Sequence, residues 1–225
     1  MLYQLDNLLT AEELKAIRKT LEQSEGQFVD GKLSAGKEAD TVKQNLELSR
    51  TAPQKEVLAK LIVGALYRHP LFSRIAYPAK ISTPLFARYT AGMSYGTHID
   101  DPIMGSDPYY RTDLSFTVFL TDPNEYEGGE LTIQTHYAEQ QAKLAAGSAV
   151  LYPSASLHRV AEVTAGVRMV AVGWLQSMIR DPVQRELLFT LSNARERLLQ
   201  SRPGRRETFE VDYVLVNLTR MWSDV

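Results

Sequence analysis

Two histidines and an aspartate are the residues of this chain most suited to chemistry: His98 and Asp100, separated by Ile99, and His158 further on. Two imidazoles and one carboxylate suffice as the protein ligands of a mononuclear Fe(II), with coordination positions left open for a co-substrate and O2. In an extended strand, residues i and i+2 point the same way, so His98 and Asp100 share one face and Ile99 takes the other. The third ligand can then arrive from a distant strand of a closed or sandwiched sheet. Asp101 is expected to project away from His98. Taken alone, H-x-D is a short pattern that also fits a hydrogen-bonded surface pair.

The other two histidines compete poorly for this role. His69 precedes Pro70 at a predicted helix end, where capping or solvation accounts for it, and His136 follows a hairpin strand, where a surface position does. His136 is nonetheless the alternative third ligand. Arg168 lies in the run Val167-Arg168-Met169-Val170-Ala171-Val172, and an arginine in an apolar strand needs a buried anion, because an unpaired buried charge is costly. A bound carboxylate gripped by both arms of the guanidinium would serve. So would a core Asp or Glu, or an outward-facing side chain.

The elements that must position these groups fall into three blocks. Thr10-Ala11-Glu12-Glu13 is a capping box followed by Leu14, Ile17 and Leu21 at helical spacing, which predicts a helix over 11–23. Residues 26–40 are polar with three glycines and read as a loop or weak hairpin. A second helix is expected over 53–68, ended by Pro70. From 77 to 177 the pattern changes to short strands separated by turns. Leu114, Phe116, Val118 and Leu120 alternate with Ser115, Thr117 and Phe119 as in a half-buried strand, and Gly128-Gly129, Gly147 and Gly166 punctuate the runs. Such spacing argues for a sandwich or barrel. Helical period returns after Asp181-Pro182, with Leu187, Leu188, Leu191, Ala194 and Leu198 on one side. A last amphipathic helix carries Val211, Val214, Leu215, Leu218, Met221 and Trp222. The division expected is a helical support over 1–76, a β core over 77–178 and a helical extension over 179–225.

Composition narrows the function classes. The chain has 225 residues, 23% of them charged, and a formal net charge of -2, which gives no global reason to expect nucleic acid or an anionic membrane as partner. Arg202, Arg205 and Arg206 form one basic knot, read as a solvated loop. With no cysteine, thiol nucleophiles, zinc-thiolate sites and iron–sulfur clusters are excluded together. The N-terminus lacks a basic, then apolar, leader, and no apolar run is long enough to span a bilayer, so a cytoplasmic protein is expected.

The run Arg88-Tyr89-Thr90-Ala91-Gly92-Met93-Ser94-Tyr95-Gly96-Thr97-His98-Ile99-Asp100 resembles the R-Y-x-x-G-x-x-Y-x-x-H-x-D segment of prolyl 4-hydroxylase-like dioxygenases that use Fe(II) and 2-oxoglutarate. Arg111-Thr112-Asp113, Tyr126-Glu127-Gly128-Gly129-Glu130-Leu131, Tyr152-Pro153-Ser154, Ser156-Leu157-His158-Arg159-Val160 and Trp174-Leu175-Gln176-Ser177 are similar to the bacterial PKHD-type hydroxylases, a branch that includes proteins described as iron-uptake factors. The likeness covers nearly the whole chain. It implies a double-stranded β-helix, or jelly roll, with flanking helices, iron held by His98, Asp100 and His158, and the distal carboxylate of 2-oxoglutarate on Arg168. It also implies that Tyr89 lines the co-substrate pocket and that ascorbate serves as reductant. Some relatives place a co-substrate-binding tyrosine near Phe119, which has no hydroxyl, so the second partner of that carboxylate is open.

The reaction implied is hydroxylation, with release of succinate and CO2, of a peptidyl or free amino acid or a siderophore-related small molecule. Nothing in the 102–110 loop selects among these; Tyr109, Tyr110 and Tyr137 are candidates for a substrate entrance. The competing readings are a non-catalytic jelly-roll binding protein in iron homeostasis and a metal-dependent isomerase or hydrolase on the same barrel. A binding module needs no complete triad with Arg168, and the hydrolytic barrels use more histidines. The C-terminal helices are expected to pack on the barrel rather than to dimerise.

Overall fold

The computed structural model describes residues 2–135 and 138–224, and two facing antiparallel sheets form its centre. The major sheet has eight strands. Its path runs Tyr3–Leu5, Ala149–Pro153, Leu114–Phe119, Arg168–Ser177, Leu85–Tyr89, Leu46–Leu48 and Phe28–Asp30, with Pro78–Ile81 also pairing on Arg168–Ser177. The minor sheet has five: Glu139–Ala142, Leu131–Gln134, His158–Val160, Ser94–His98 and Lys43–Gln44. This is the jelly roll with flanking helices that the strand spacing and the resemblance led us to expect.

Burial follows strand parity. On the major sheet Leu114, Phe116, Val118, Ala171 and Leu175 face a helical layer, where they join Ile17, Leu21, Leu58, Ile62 and Phe72. Helices α1 (Ala11–Glu22), α2 (Lys55–Arg68) and α3 (Phe72–Ala76) build that layer. The opposite parity, including Phe119 and Val170, faces Leu131, Ile133 and Val160 of the minor sheet. Every residue of Leu114–Phe119 is therefore buried, including Ser115 and Thr117, where the alternation had suggested a strand half in water. The polar side chains of that strand face the space between the sheets, which is where the site lies.

The capping box of α1 forms as expected, Thr10 accepting from the Glu13 amide and Glu13 from the Thr10 amide. Residues 26–40 are more ordered than a loop: 3-10 turns flank Phe28–Asp30, which pairs in antiparallel register with Leu46–Leu48. Helix α3 escaped the sequence reading because five residues are too few to display a helical period.

The C-terminal pair, α4 (Pro182–Ser201) and α5 (Arg206–Trp222), packs with Ile179 and Tyr77 through Leu188, Leu191, Leu215, Leu218 and Trp222. Leu187, Val214 and Met221, assigned from sequence to the inward stripes, are exposed, because Arg185, Leu188 and Ser192 define the buried face of α4 and Leu215 that of α5. Arg202, Arg205 and Arg206 are solvated. Among the described residues, no helix is long and apolar enough to cross a membrane.

Candidate metal and co-substrate site

Antiparallel pairing places His158 directly opposite His98 on neighbouring strands of the minor sheet, with ring centroids 4.2 Å apart. The strand carrying His98 ends at that residue, so Asp100 lies just beyond regular pairing. Its carboxylate still turns back toward the histidines, with Oδ1 3.7 Å from His158 Nε2, and one donor atom from each of the three residues falls within 4.8 Å of the others. Ile99 is exposed, as its opposite parity expects, and Asp101 turns instead toward the backbone at Gly36. His69 caps the C-terminus of α2 and sits within 3.3 Å of the Asp6 carbonyl, while His136 and Tyr137 lie outside the described residues.

The surroundings fix how the triad presents itself. His98 Nδ1 is 2.9 Å from the Gly96 carbonyl and His158 Nδ1 is 2.9 Å from the Ser156 carbonyl. A carbonyl only accepts, so both Nδ1 atoms carry the proton and both Nε2 lone pairs are free, the second-sphere arrangement typical of metal-ligating histidines. Burial, and next the neighbouring His158, hold the His98 pKa down to about 4, against smaller upward pulls from the Gly96 carbonyl and Asp100. The imidazole is thus neutral at physiological pH. The Tyr95 ring stacks on His98 at 3.6 Å, and the Lys43 ammonium lies 5.2 Å over the far ring.

Asp100 is held from the major sheet. Ser115 Oγ donates to Asp100 Oδ2 at 2.6 Å and lies 2.8 Å from Ser154 Oγ, and Thr112 Oγ1 donates to the Asp101 carbonyl at 2.5 Å. Arg111 and Asp113 of the quoted R-T-D run form a bidentate ion pair, and Asp113 also accepts from the Ser177 amide, so this motif braces the strand that carries Ser115. Ser115 escaped the sequence reading because a serine in an alternating strand carries no local signal, and Ser154 because a serine in a turn is commonplace. Ser115→Ala is expected to keep the fold and weaken metal affinity by about 10–100-fold, the usual effect of deleting a group that orients a ligand. Metal titration beside a circular dichroism spectrum checks this, and unchanged affinity would remove Ser115 from the site.

Arg168 sits on the first residue of its strand, directly opposite Tyr89 and 1% exposed. Its guanidinium lies 5.0 Å from the Tyr89 ring centroid and 5.8 Å from that of Phe119. Among the described residues it forms no ion pair, so the alternative of a core Asp or Glu partner is not realised. Its Nε and Nη1 atoms are buried without hydrogen-bond partners, and so is the Tyr126 hydroxyl. Burial pushes the Tyr126 phenol up, and the charge on Arg168 opposes that rise, which places the two groups side by side. The turn at Gly128-Gly129 has a second purpose here: a Cβ on Gly129 would stand 2.9 Å from Arg168 Cδ and 3.0 Å from the Tyr126 ring. Three unsatisfied buried donors around one spot are a costly arrangement unless an anion fills it. A carboxylate has the lone pairs to satisfy all three, and Tyr126 offers the hydroxyl that Phe119 lacks. Tyr89 is buried beside this spot, its phenol pushed up to about 12 chiefly by burial.

One cavity of ≈ 1120 Å³ joins His98, Asp100, His158, Tyr89 and Arg168. Tyr110 lines it with the Lys80 ammonium 5.0 Å over its ring, whereas Tyr109 is exposed. The donor set, the fixed tautomers and the orphaned donors fit Fe(II) at the triad and a dicarboxylate reaching to Arg168.

The neutral state of His98 has a measurable consequence. Its folded pKa of about 4 lies below the 6.5 of an unperturbed histidine, so between those values the unfolded chain binds more protons. Stability of the metal-free protein should therefore fall as pH drops from 6.5 towards 4. Melting curves across that range test it, and His98→Asn should flatten part of the slope.

The sequence profile of the 2OG-Fe(II) oxygenase superfamily matches residues 84–176. A PKHD-type hydroxylase of Thermosynechococcus vestitus is 45% identical over 100% of both chains, and one of Thioalkalivibrio sulfidiphilus is 47% identical, again over 100% of both. In fold, the chain is similar to a prolyl-4-hydroxylase of Pseudomonas putida, with a TM-score of 0.55 at 19% identity over 78% of this chain and 92% of that one.

Proposed function

Because this chain belongs to the PKHD-type hydroxylases of the 2OG-Fe(II) oxygenase superfamily, we propose that His98, Asp100 and His158 hold its iron and that Arg168 anchors its 2-oxoglutarate. The protein is an Fe(II)- and 2-oxoglutarate-dependent dioxygenase. Iron, 2-oxoglutarate and O2 together supply the oxidising chemistry, hydroxylating a substrate and releasing succinate and CO2. The protein's own residues provide geometry and exclusion. Gly96 and Ser156 orient the imidazoles, Ser115 orients the carboxylate, and the Arg168 fork with Tyr126 and Tyr89 fixes the far end of the co-substrate. Phe119, Val170 and Ile133 keep water from that end. Ascorbate, associated with the wider family, would return oxidised iron to Fe(II).

The observation that carries the assignment is the pairing of a three-donor cluster with a buried arginine that has no anionic partner among the described residues. A binding module of the same shape would need the first but not the second. The prime substrate is a peptidyl or free amino acid or a siderophore-related molecule, taken up in the cytoplasm. The test incubates Fe(II)-loaded enzyme with 2-oxoglutarate and a cell extract and follows succinate together with products one oxygen heavier. Products that form in the Arg168→Lys protein as fast as in the wild type would sink the assignment.

A further inference from the structure

The cavity is larger than iron and its co-substrate require. Pockets for one drug-sized ligand span about 300–1000 Å³, and this one, at ≈ 1120 Å³, continues past the triad to a wall built from residues 34–55. Four cations stand on that wall, Lys37, Lys43, Arg50 and Lys55, with two carboxylates, Glu38 and Glu47, of which the neighbours Lys37 and Glu38 are both exposed and offset each other in charge. Glu47 is already engaged, its Oε1 2.6 Å from Lys43 Nζ with both side chains buried. Arg50 and Lys55 remain.

Lys55 is the unusual one. It is 9% exposed and lines the cavity, and its ammonium has no hydrogen-bond or ion-pair partner among the described residues. It is also the first residue of α2, where the helix dipole disfavours a cation and favours an anion. No side chain caps that helix start, because the Gln54 amide is turned to Ser24 and Gln27. Burial, and next the charge of Arg50, pull the Lys55 ammonium down from its ordinary value, against a smaller upward pull from Glu47, which is itself bound to Lys43. A buried lysine beside an arginine at the positive end of a helix is poorly placed for stability, and an anion would relieve all three conflicts.

We propose that Lys55, with Arg50 and the N-terminus of α2, forms the subsite that receives an anionic group, a carboxylate or a phosphate, on the substrate to be hydroxylated. The inference rests on the reading that Arg168 takes the 2-oxoglutarate, which leaves this second cationic corner to the substrate. Trp174, which lines the same cavity, can report occupancy. The other of the two tryptophans, Trp222, lies among the C-terminal helices and is removed as Trp222→Phe.

With Mn(II) and 2-oxoglutarate bound, inorganic phosphate and acetate are titrated separately against Trp174 fluorescence. A saturable change is expected, weakened roughly ten- to a hundredfold in Lys55→Gln and largely restored in Lys55→Arg. The stronger of the two anions identifies the group. No saturable change, or the same change in Lys55→Gln, overturns the proposal. So does a matching loss of 2-oxoglutarate affinity in Lys55→Gln, which would put Lys55 in the co-substrate site. Failure of the Arg168 assignment itself would show separately, as unchanged 2-oxoglutarate affinity in Arg168→Lys.

Discussion

Asp100→Ala is expected to lose iron and turnover together. Asp100 supplies the only negative charge of the triad, and without it two neutral imidazoles must hold a divalent ion. Changes to groups that merely orient a ligand weaken metal binding by about 10–100-fold, so loss of the ligand itself should exceed that range. Ser115 loses its acceptor as well, although its hydroxyl can still bond that of Ser154 at 2.8 Å. Iron content after desalting, read beside succinate formation, gives the result. Full iron content with turnover lost would mean that Asp100 acts on substrate instead of metal, and full turnover would remove it from the site.

The second large effect concerns Arg168. Arg168→Lys keeps a charge but loses the planar fork, and Arg168→Ala loses both. Breaking a buried, hydrogen-bonded charge pair costs about 2–5 kcal/mol, so the 2-oxoglutarate requirement should rise roughly a hundredfold or more in Arg168→Ala. Lysine should fall between alanine and wild type, and Tyr126→Phe, which deletes one hydroxyl, should raise the requirement by roughly two- to tenfold. Iron affinity measured without co-substrate should survive in all three, since Arg168 contacts Tyr89 and Phe119 rather than the triad. Parallel loss of iron would show a collapsed site and not a missing anchor.

What could be read from the sequence divides along physical lines. The α1 capping box and the turns at Gly128, Gly129, Gly147 and Gly166, all at positive φ, are legible because their causes are local. Arg168 is legible for a different reason: a full charge in an apolar run is improbable without a partner. Phe28–Asp30 and Lys43–Gln44 were not legible as strands, since two or three residues pair only where a distant strand offers an edge. Lys55 reads as an ordinary helix-start residue until the fold closes a cavity over it, and Glu47 as a solvated carboxylate until Lys43 meets it inside. Tyr126 was visible within Tyr126-Glu127-Gly128-Gly129, yet its unpaired hydroxyl is a property of the space between the sheets. The half-buried strand expected over 114–120 is buried on both faces because helices cover the outer side, a long-range fact that alternation does not encode.

The two histidines stand on the minor sheet, while Asp100 is tied through Ser115 to the major one. An ion gripped by all three is therefore a rivet through the seam of the sandwich, and the free energy of its capture is shared with the closing of the two sheets.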